Sequence, residues 1–121
     1  MFASKKYAGK HLICDFNVPS FDLDFKAICK ELCVLHHFTI LQEVEHVFQP
    51  QGYTLLFLLS ESHLSVHTFP EKKYISFDLF TCREYEDDTE YLAIYEWLCT
   101  KMSATGTHYL FDRVFNEMIS K

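Results

Sequence analysis

Between residues 38 and 80 the chain runs through four apolar-rich segments, Phe38 to Phe48, Tyr53 to Ser60, His63 to Phe69 and Tyr74 to Phe80, with very little chain between them. The separators are Gln49-Pro50-Gln51-Gly52, Glu61-Ser62 and Pro70-Glu71-Lys72-Lys73. Connections this short make antiparallel hairpins the natural link, because parallel neighbours need a crossover of a dozen residues or more. The stretch therefore reads as a meander.

Flanking segments complete the pattern. Gly9 to Phe16 reads as a strand ending at the Pro19-Ser20 turn. A helix follows to about His37, with Ser20 as its expected N-cap, Asp22 and Asp24 in the first turn, and Phe21, Phe25, Ile28, Leu32 and Leu35 as its apolar stripe. A second helix opens at Asp87, Asp88 or Thr89 and carries Tyr91, Ile94, Tyr95, Leu98 and Met102; the alternating run Thr107 to Phe115 suggests a last strand. The expected fold is α+β, a two-layer sandwich in which helices cover one face of an antiparallel sheet.

The chain has 121 residues, 49% of them hydrophobic and 17% aromatic, with three glycines and three prolines. That composition suits one compact domain over 1–121 and argues against disorder. A net charge of −6 offers no footprint for nucleic acid or an anionic membrane surface. The apolar run Leu55 to Leu59 is too short to span a bilayer and Met1 to Lys10 lacks a signal peptide's apolar stretch, so a cytoplasmic location is expected. Five cysteines are an odd number for a disulfide framework. Cys29, Cys33, His36 and His37 lie close together, but both cysteines sit on or beside the apolar helix stripe, which favours buried thiols over metal ligands, and no metal is expected.

The sheet face away from the helices is chemically unusual. Alternation puts His63, Ser65 and His67 on one side of their strand and Leu64, Val66 and Thr68 on the other; in the next strand Ser76, Asp78 and Cys82 oppose Ile75, Phe77 and Leu79. An ordinary solvated face carries lysine and glutamate. Imidazoles, a thiol and a carboxylate point instead to a site.

Three stretches carry a resemblance: His46-x-Phe48-x-Pro50-x-Gly52-x-Thr54, then Ser60-Glu61-Ser62-His63-Leu64-Ser65-Val66-His67-Thr68-Phe69-Pro70-Glu71, then Phe77-Asp78-Leu79-Phe80-Thr81-Cys82, with Gly9-x-His11-Leu12 near the start. Over roughly residues 9 to 82 the chain resembles the short, bacterial-type S-adenosylmethionine decarboxylases. The glutamate-serine-histidine triplet, the histidine five residues past the serine and the cysteine twenty past it are specific in combination.

The resemblance implies a self-processing enzyme whose cofactor is a pyruvoyl group derived from Ser62. In the family, the hydroxyl matching Ser62 attacks the carbonyl matching Glu61 and turns the peptide bond into an ester. β-Elimination then cuts the chain between 61 and 62, and the new terminus loses ammonia to become pyruvoyl. The hydroxyl residue matching Thr54 and the histidine matching His67 assist the processing. A substrate amine then condenses with the ketone as a Schiff base, and Cys82 matches the proton donor that follows loss of carbon dioxide. Phe48 matches an aromatic that stacks on adenine, Glu71 a carboxylate that holds ribose hydroxyls, and Phe69 stands where the family usually has a substrate-contacting tryptophan.

The implied activity is decarboxylation of S-adenosylmethionine to the aminopropyl donor of polyamine biosynthesis, with a small amino-acid-type substrate and a homodimer of processed protomers. Leu55 and Arg83 stand where the family usually has glycine, and Tyr53 where it has a small aliphatic. Arginine or ornithine as substrate, and a non-catalytic regulatory homologue, are alternatives on the same scaffold. The complete set of Ser62, His67 and Cys82 argues against the last.

Overall fold

The computed structural model describes residues 7–115. The ends of the expected 1–121 domain, residues 1–6 and 116–121, lie outside the described residues. Six strands and two α-helices follow one another: β1 (Tyr7–Asn17), α1 (Phe25–Leu35), β2 (Ile40–Val47), β3 (Tyr53–Leu59), β4 (Ser62–Phe69), β5 (Tyr74–Thr81), α2 (Thr89–Met102) and β6 (Thr105–Val114). A 3₁₀ turn, Pro70–Lys72, joins β4 to β5. The strands form one antiparallel sheet in the order β2-β3-β4-β5-β1-β6. β2 to β5 are the expected meander, and β1 lies between β5 and β6.

The first helix starts later than its composition suggests. The Asp24 carboxylate accepts the Ala27 N–H at 3.0 Å and caps α1, while the Ser20 hydroxyl accepts the Asp22 N–H at 3.1 Å in a separate turn. Asp24 therefore replaces Ser20 as the N-cap, because its oxygen reaches the third helical N–H, one of the donors a helix start leaves unsatisfied. At the other end His37 takes a left-handed φ of 61°, and the N–H groups of Phe38 and His37 donate to the carbonyls of Cys33 at 2.8 Å and Val34 at 3.3 Å. This is the paired Schellman closure, made here without glycine. The separator Glu61-Ser62 is also revised: Ser62 pairs with Leu59 as the first residue of β4, so the tight turn consists of Ser60 and Glu61.

Alternation decides which side chains leave water. Leu12, Cys14 and Phe16 of β1, Leu55, Phe57 and Leu59 of β3, Leu64 and Val66 of β4, and Ile75, Phe77 and Leu79 of β5 form one core with the helices. α1 contributes Phe25, Cys29, Leu32 and Cys33, and α2 contributes Tyr91, Ile94, Leu98 and Met102. Both helices thus cover one sheet face, as expected for the α+β sandwich. Each fully buried aliphatic side chain stabilises the fold by about 1.5–3 kcal/mol. No helix among the described residues is long and apolar enough to cross a membrane.

Leu79 is fully buried on β5, flanked by Leu64 of β4 and Leu12 of β1. Leu79→Ala is expected to lower the unfolding free energy by about 2–5 kcal/mol. Urea titration followed by circular dichroism checks this, and an unchanged midpoint would remove Leu79 from the core.

Candidate active site

At the N-terminal end of β4, Ser62 is 7% exposed and Glu61 before it holds a left-handed φ of 59°. A non-glycine residue in that region costs of order 1–3 kcal/mol, so conformational strain is placed on the residue whose carbonyl precedes Ser62. Cys82 follows the last residue of β5 and meets this turn twice: its N–H donates to Ser62 Oγ at 3.4 Å and its thiol donates to Glu61 Oε1 at 3.1 Å. Gly9 of β1 makes room for this approach. A Cβ there would stand 2.1 Å from the Thr81 carbonyl oxygen and 3.1 Å from Cys82 Cα. The buried Thr81 hydroxyl meets the Tyr91 hydroxyl of α2 at 2.7 Å, which ties the end of β5 to a helix.

A second group gathers at the C-terminal end of β4. Thr54 Oγ1 and His67 Nδ1 are 2.9 Å apart across the β3–β4 ladder. Both line a cavity of about 390 Å³ whose walls include Phe48, Phe69 and Glu71. Gly52, with φ 110°, turns β2 into β3 and also lines it, and Phe48 donates its N–H to the Gly52 carbonyl at 2.9 Å. The ring of Phe69 lies 5.7 Å from that of Tyr74.

These two groups are not together in one chain. Five residues of strand separate Ser62 from His67, about 17 Å at the usual strand rise. Ser62 also falls on the helix-covered side of β4, with Leu64, whereas His67 is on the open side. The spacing that made the serine and histidine look like partners therefore separates them along the strand and between its faces.

In the middle of the open face His11, His63 and Asp78, all noted in the sequence, are joined by Arg113, which the sequence did not single out. His11 Nε2 meets Asp78 Oδ1 at 2.5 Å, and Arg113 of β6 reaches His11 Nδ1 at 3.2 Å. Ligand atoms of His11, His63 and Asp78 lie within 4.8 Å of one another. Arg113 has only donors, so Nδ1 of His11 accepts from it and Nε2 is the nitrogen turned to Asp78. Cross-strand pairing of β1 with β5 and β6 brings these residues together, which no local spacing reveals.

Cys29 and Cys33 are buried in the core, where loss of hydration pushes both thiols up, Cys33 to about 11. His36 turns away to Glu90, 2.6 Å from its carboxylate. Leu55 is fully buried on the helix side, so its side chain points away from the cavity beside Thr54. Tyr53 shares that side, near Phe25, and donates its hydroxyl to Glu45 at 2.6 Å.

A family model described as S-adenosylmethionine decarboxylase matches residues 11–109. The chain belongs to the S-adenosylmethionine decarboxylase family. Among its relatives, the S-adenosylmethionine decarboxylase proenzyme of Clostridium botulinum (strain Loch Maree / Type A3) is 36% identical over 93 residues, which cover 73% of this chain and 80% of that one. The S-adenosylmethionine decarboxylase proenzyme 2 of Bacillus cereus is 39% identical over 83 residues, covering 61% and 64%. The crystal structure of the adenosylmethionine decarboxylase from Aquifex aeolicus VF5 superposes with a TM-score of 0.77 at 23% identity, covering 96% of this chain and 98% of that one. That likeness shows that the two-layer fold is shared.

Proposed function

We propose that this chain is a self-processing, pyruvoyl-dependent decarboxylase of S-adenosylmethionine, cut between Glu61 and Ser62 and active as a homodimer. The observation that carries the reading is the junction of the Ser60-Glu61 turn with Ser62 at the start of β4. A strained left-handed residue precedes a nearly buried serine, and a thiol is held against both. Attack of the Ser62 hydroxyl on the Glu61 carbonyl carbon breaks the Glu61–Ser62 C–N bond and forms an ester. Removal of the Ser62 α-proton then expels the Glu61 carboxylate and leaves an unsaturated terminus, from which water displaces ammonia. The surroundings suit a pyruvoyl group at residue 62, since its amide linkage lies within the β4 backbone and the Cys82 N–H already faces the Ser62 side chain.

The pyruvoyl group supplies a ketone for the substrate amine and a carbonyl that accepts the electron pair released with carbon dioxide. Cys82, 3.1 Å from the Glu61 carboxylate, donates a proton from its thiol. Phe48 and Phe69 offer aromatic faces for a purine, and Glu71 offers acceptors for the ribose hydroxyls. The names of the Clostridium botulinum and Bacillus cereus relatives support S-adenosylmethionine as the substrate.

The separation along β4 favours a site shared between two chains. If two open faces meet about a two-fold axis near Leu64 and Ser65, the Ser62 end of one β4 lies over the His67 end of the other. Each site then combines Glu61, Ser62 and Cys82 of one protomer with Phe48, Thr54, His67, Phe69 and Glu71 of its partner. The open face has the apolar surface for such a contact: Val44, Leu56, Leu58, Tyr109 and Phe111 are each 42–60% exposed.

The purified protein is expected to give two masses, for residues 1–61 and for a fragment from residue 62 without a free amino group, and to release carbon dioxide from S-adenosylmethionine but not from arginine or ornithine. Ser62→Ala should abolish both cleavage and turnover. A wild-type chain staying at full length would sink the reading, and release from arginine or ornithine alone would replace the substrate.

Co-expression tests the shared site. Cys82→Ala and His67→Ala chains, each inactive alone, should together regain about a quarter of wild-type turnover, because half of randomly paired dimers are mixed and each mixed dimer has one intact site. No recovery in dimers shown by native mass spectrometry to be mixed would place each site within a single chain.

A further inference from the structure

Phe69 closes β4, and its ring, 41% exposed, forms one wall of the cavity that also holds Thr54, His67 and Glu71. A ring that far out of the core is not fixed by its own burial. Beside it stands Tyr74, its cross-strand partner at the start of β5, with the two rings 5.7 Å apart and inclined by 33°. The Tyr74 hydroxyl in turn donates to the Asp15 carboxylate of β1. Asp15 belongs to a strand paired on both sides, opposite Ser76 of β5 and Thr107 of β6, so the acceptor is carried by a rigid part of the sheet. Neither Tyr74 nor Asp15 lines the cavity.

We infer that Tyr74, anchored by Asp15, is the positioning residue that sets the ring of Phe69 for stacking on the purine of the substrate. A phenylalanine ring turns about two bonds, and stacking needs its face presented to the purine. A tyrosine packed beside it and tied at its far end to a carboxylate narrows the choice, because a charge-assisted hydrogen bond is stronger and more directional than a neutral one. The bond to Asp15 and burial both push the Tyr74 phenol up, so it stays protonated and keeps donating at neutral pH. Fixing a side chain before the ligand arrives lowers the cost of binding. It leaves the chemical step alone, since the stacking is the same in ground state and transition state. The effect therefore belongs in KM.

This inference rests on the proposed nucleoside substrate, and the test has an arm that needs no self-processing. Tyr74→Phe, Asp15→Ala and Asp15→Asn are compared with the parent, and Tyr74→Phe also with a Phe69→Ala background. Tyr74→Phe and Asp15→Ala should each raise KM for S-adenosylmethionine about three- to tenfold, with kcat per cleaved chain within about twofold. Asp15→Asn, which still offers an oxygen to the hydroxyl but no charge, should fall between the parent and Asp15→Ala. In the Phe69→Ala chain, whose KM is already raised, Tyr74→Phe should add less than about twofold, because the ring it positions is gone. Calorimetric titration of adenosine into the uncleavable Ser62→Ala chain repeats the cycle, with the same losses expected in Kd.

Unchanged KM and unchanged adenosine affinity in Tyr74→Phe would overturn the inference. An equal loss with and without the Phe69 ring would do the same, since the tyrosine would then act by another route. Should Asp15→Ala fail to fold, the Tyr74→Phe cycle decides, because it removes a single oxygen atom. A wild-type chain that stays uncut while adenosine binding follows the expected pattern would sink the processing reading alone. No adenosine binding by the Ser62→Ala parent would overturn the inference together with the nucleoside reading of the cavity.

Discussion

The packing of α1 and α2 onto one face of the sheet, through Phe25, Leu32, Ile94 and Leu98 against Leu12, Phe16, Phe57 and Phe77, is the contact on which the other features depend. It removes every second residue of the central strands from water and so commits the alternate ones, His11, His63, Ser65, His67, Ser76 and Asp78, to the opposite face. A sheet with helices on both faces would have had to bury those groups or replace them. Leaving one face open keeps a row of imidazoles, hydroxyls and a carboxylate at the surface, with apolar side chains beside them at Leu56, Leu58, Tyr109 and Phe111.

The same packing makes the two ends of β4 chemically distinct. At the Ser62 end, the tight turn, the close approach allowed by Gly9 and the tie of Thr81 to Tyr91 bring a hydroxyl, a carboxylate and a thiol together. At the His67 end, the β2–β3 hairpin folds Phe48 and Gly52 toward Thr54, His67 and Glu71 around a cavity. Strand geometry holds the two ends apart, since an extended backbone does not shorten. Residues adjacent in a family pattern can thus belong to two halves of a site that only a second copy brings together, and this is the physical argument for a dimer with face-to-face sheets.

Much of this was legible in the chain. The hairpin-length separators specified the meander, and the alternation in Leu64-Ser65-Val66-His67 specified which side chains face the helices. Helix starts were less legible, because Ser20 and Asp24 are both competent caps and only the observed N–H geometry distinguishes them. Arg83 stood out as a departure from the family's glycine, but its target, the carbonyls of His36 and His37, lies more than forty residues away in sequence.

The sequence by itself determined the local periods, the hairpin connections of the meander and which side chains of β4 share a face, since these follow from neighbours within a few residues. Tertiary structure alone decided that β1 lies between β5 and β6, that His11 meets Asp78 and Arg113, and that Cys82 meets the turn before Ser62. The reason is that strand order and cross-strand contact depend on which distant segments bury their apolar faces together, a free-energy balance over the whole core that no short window contains.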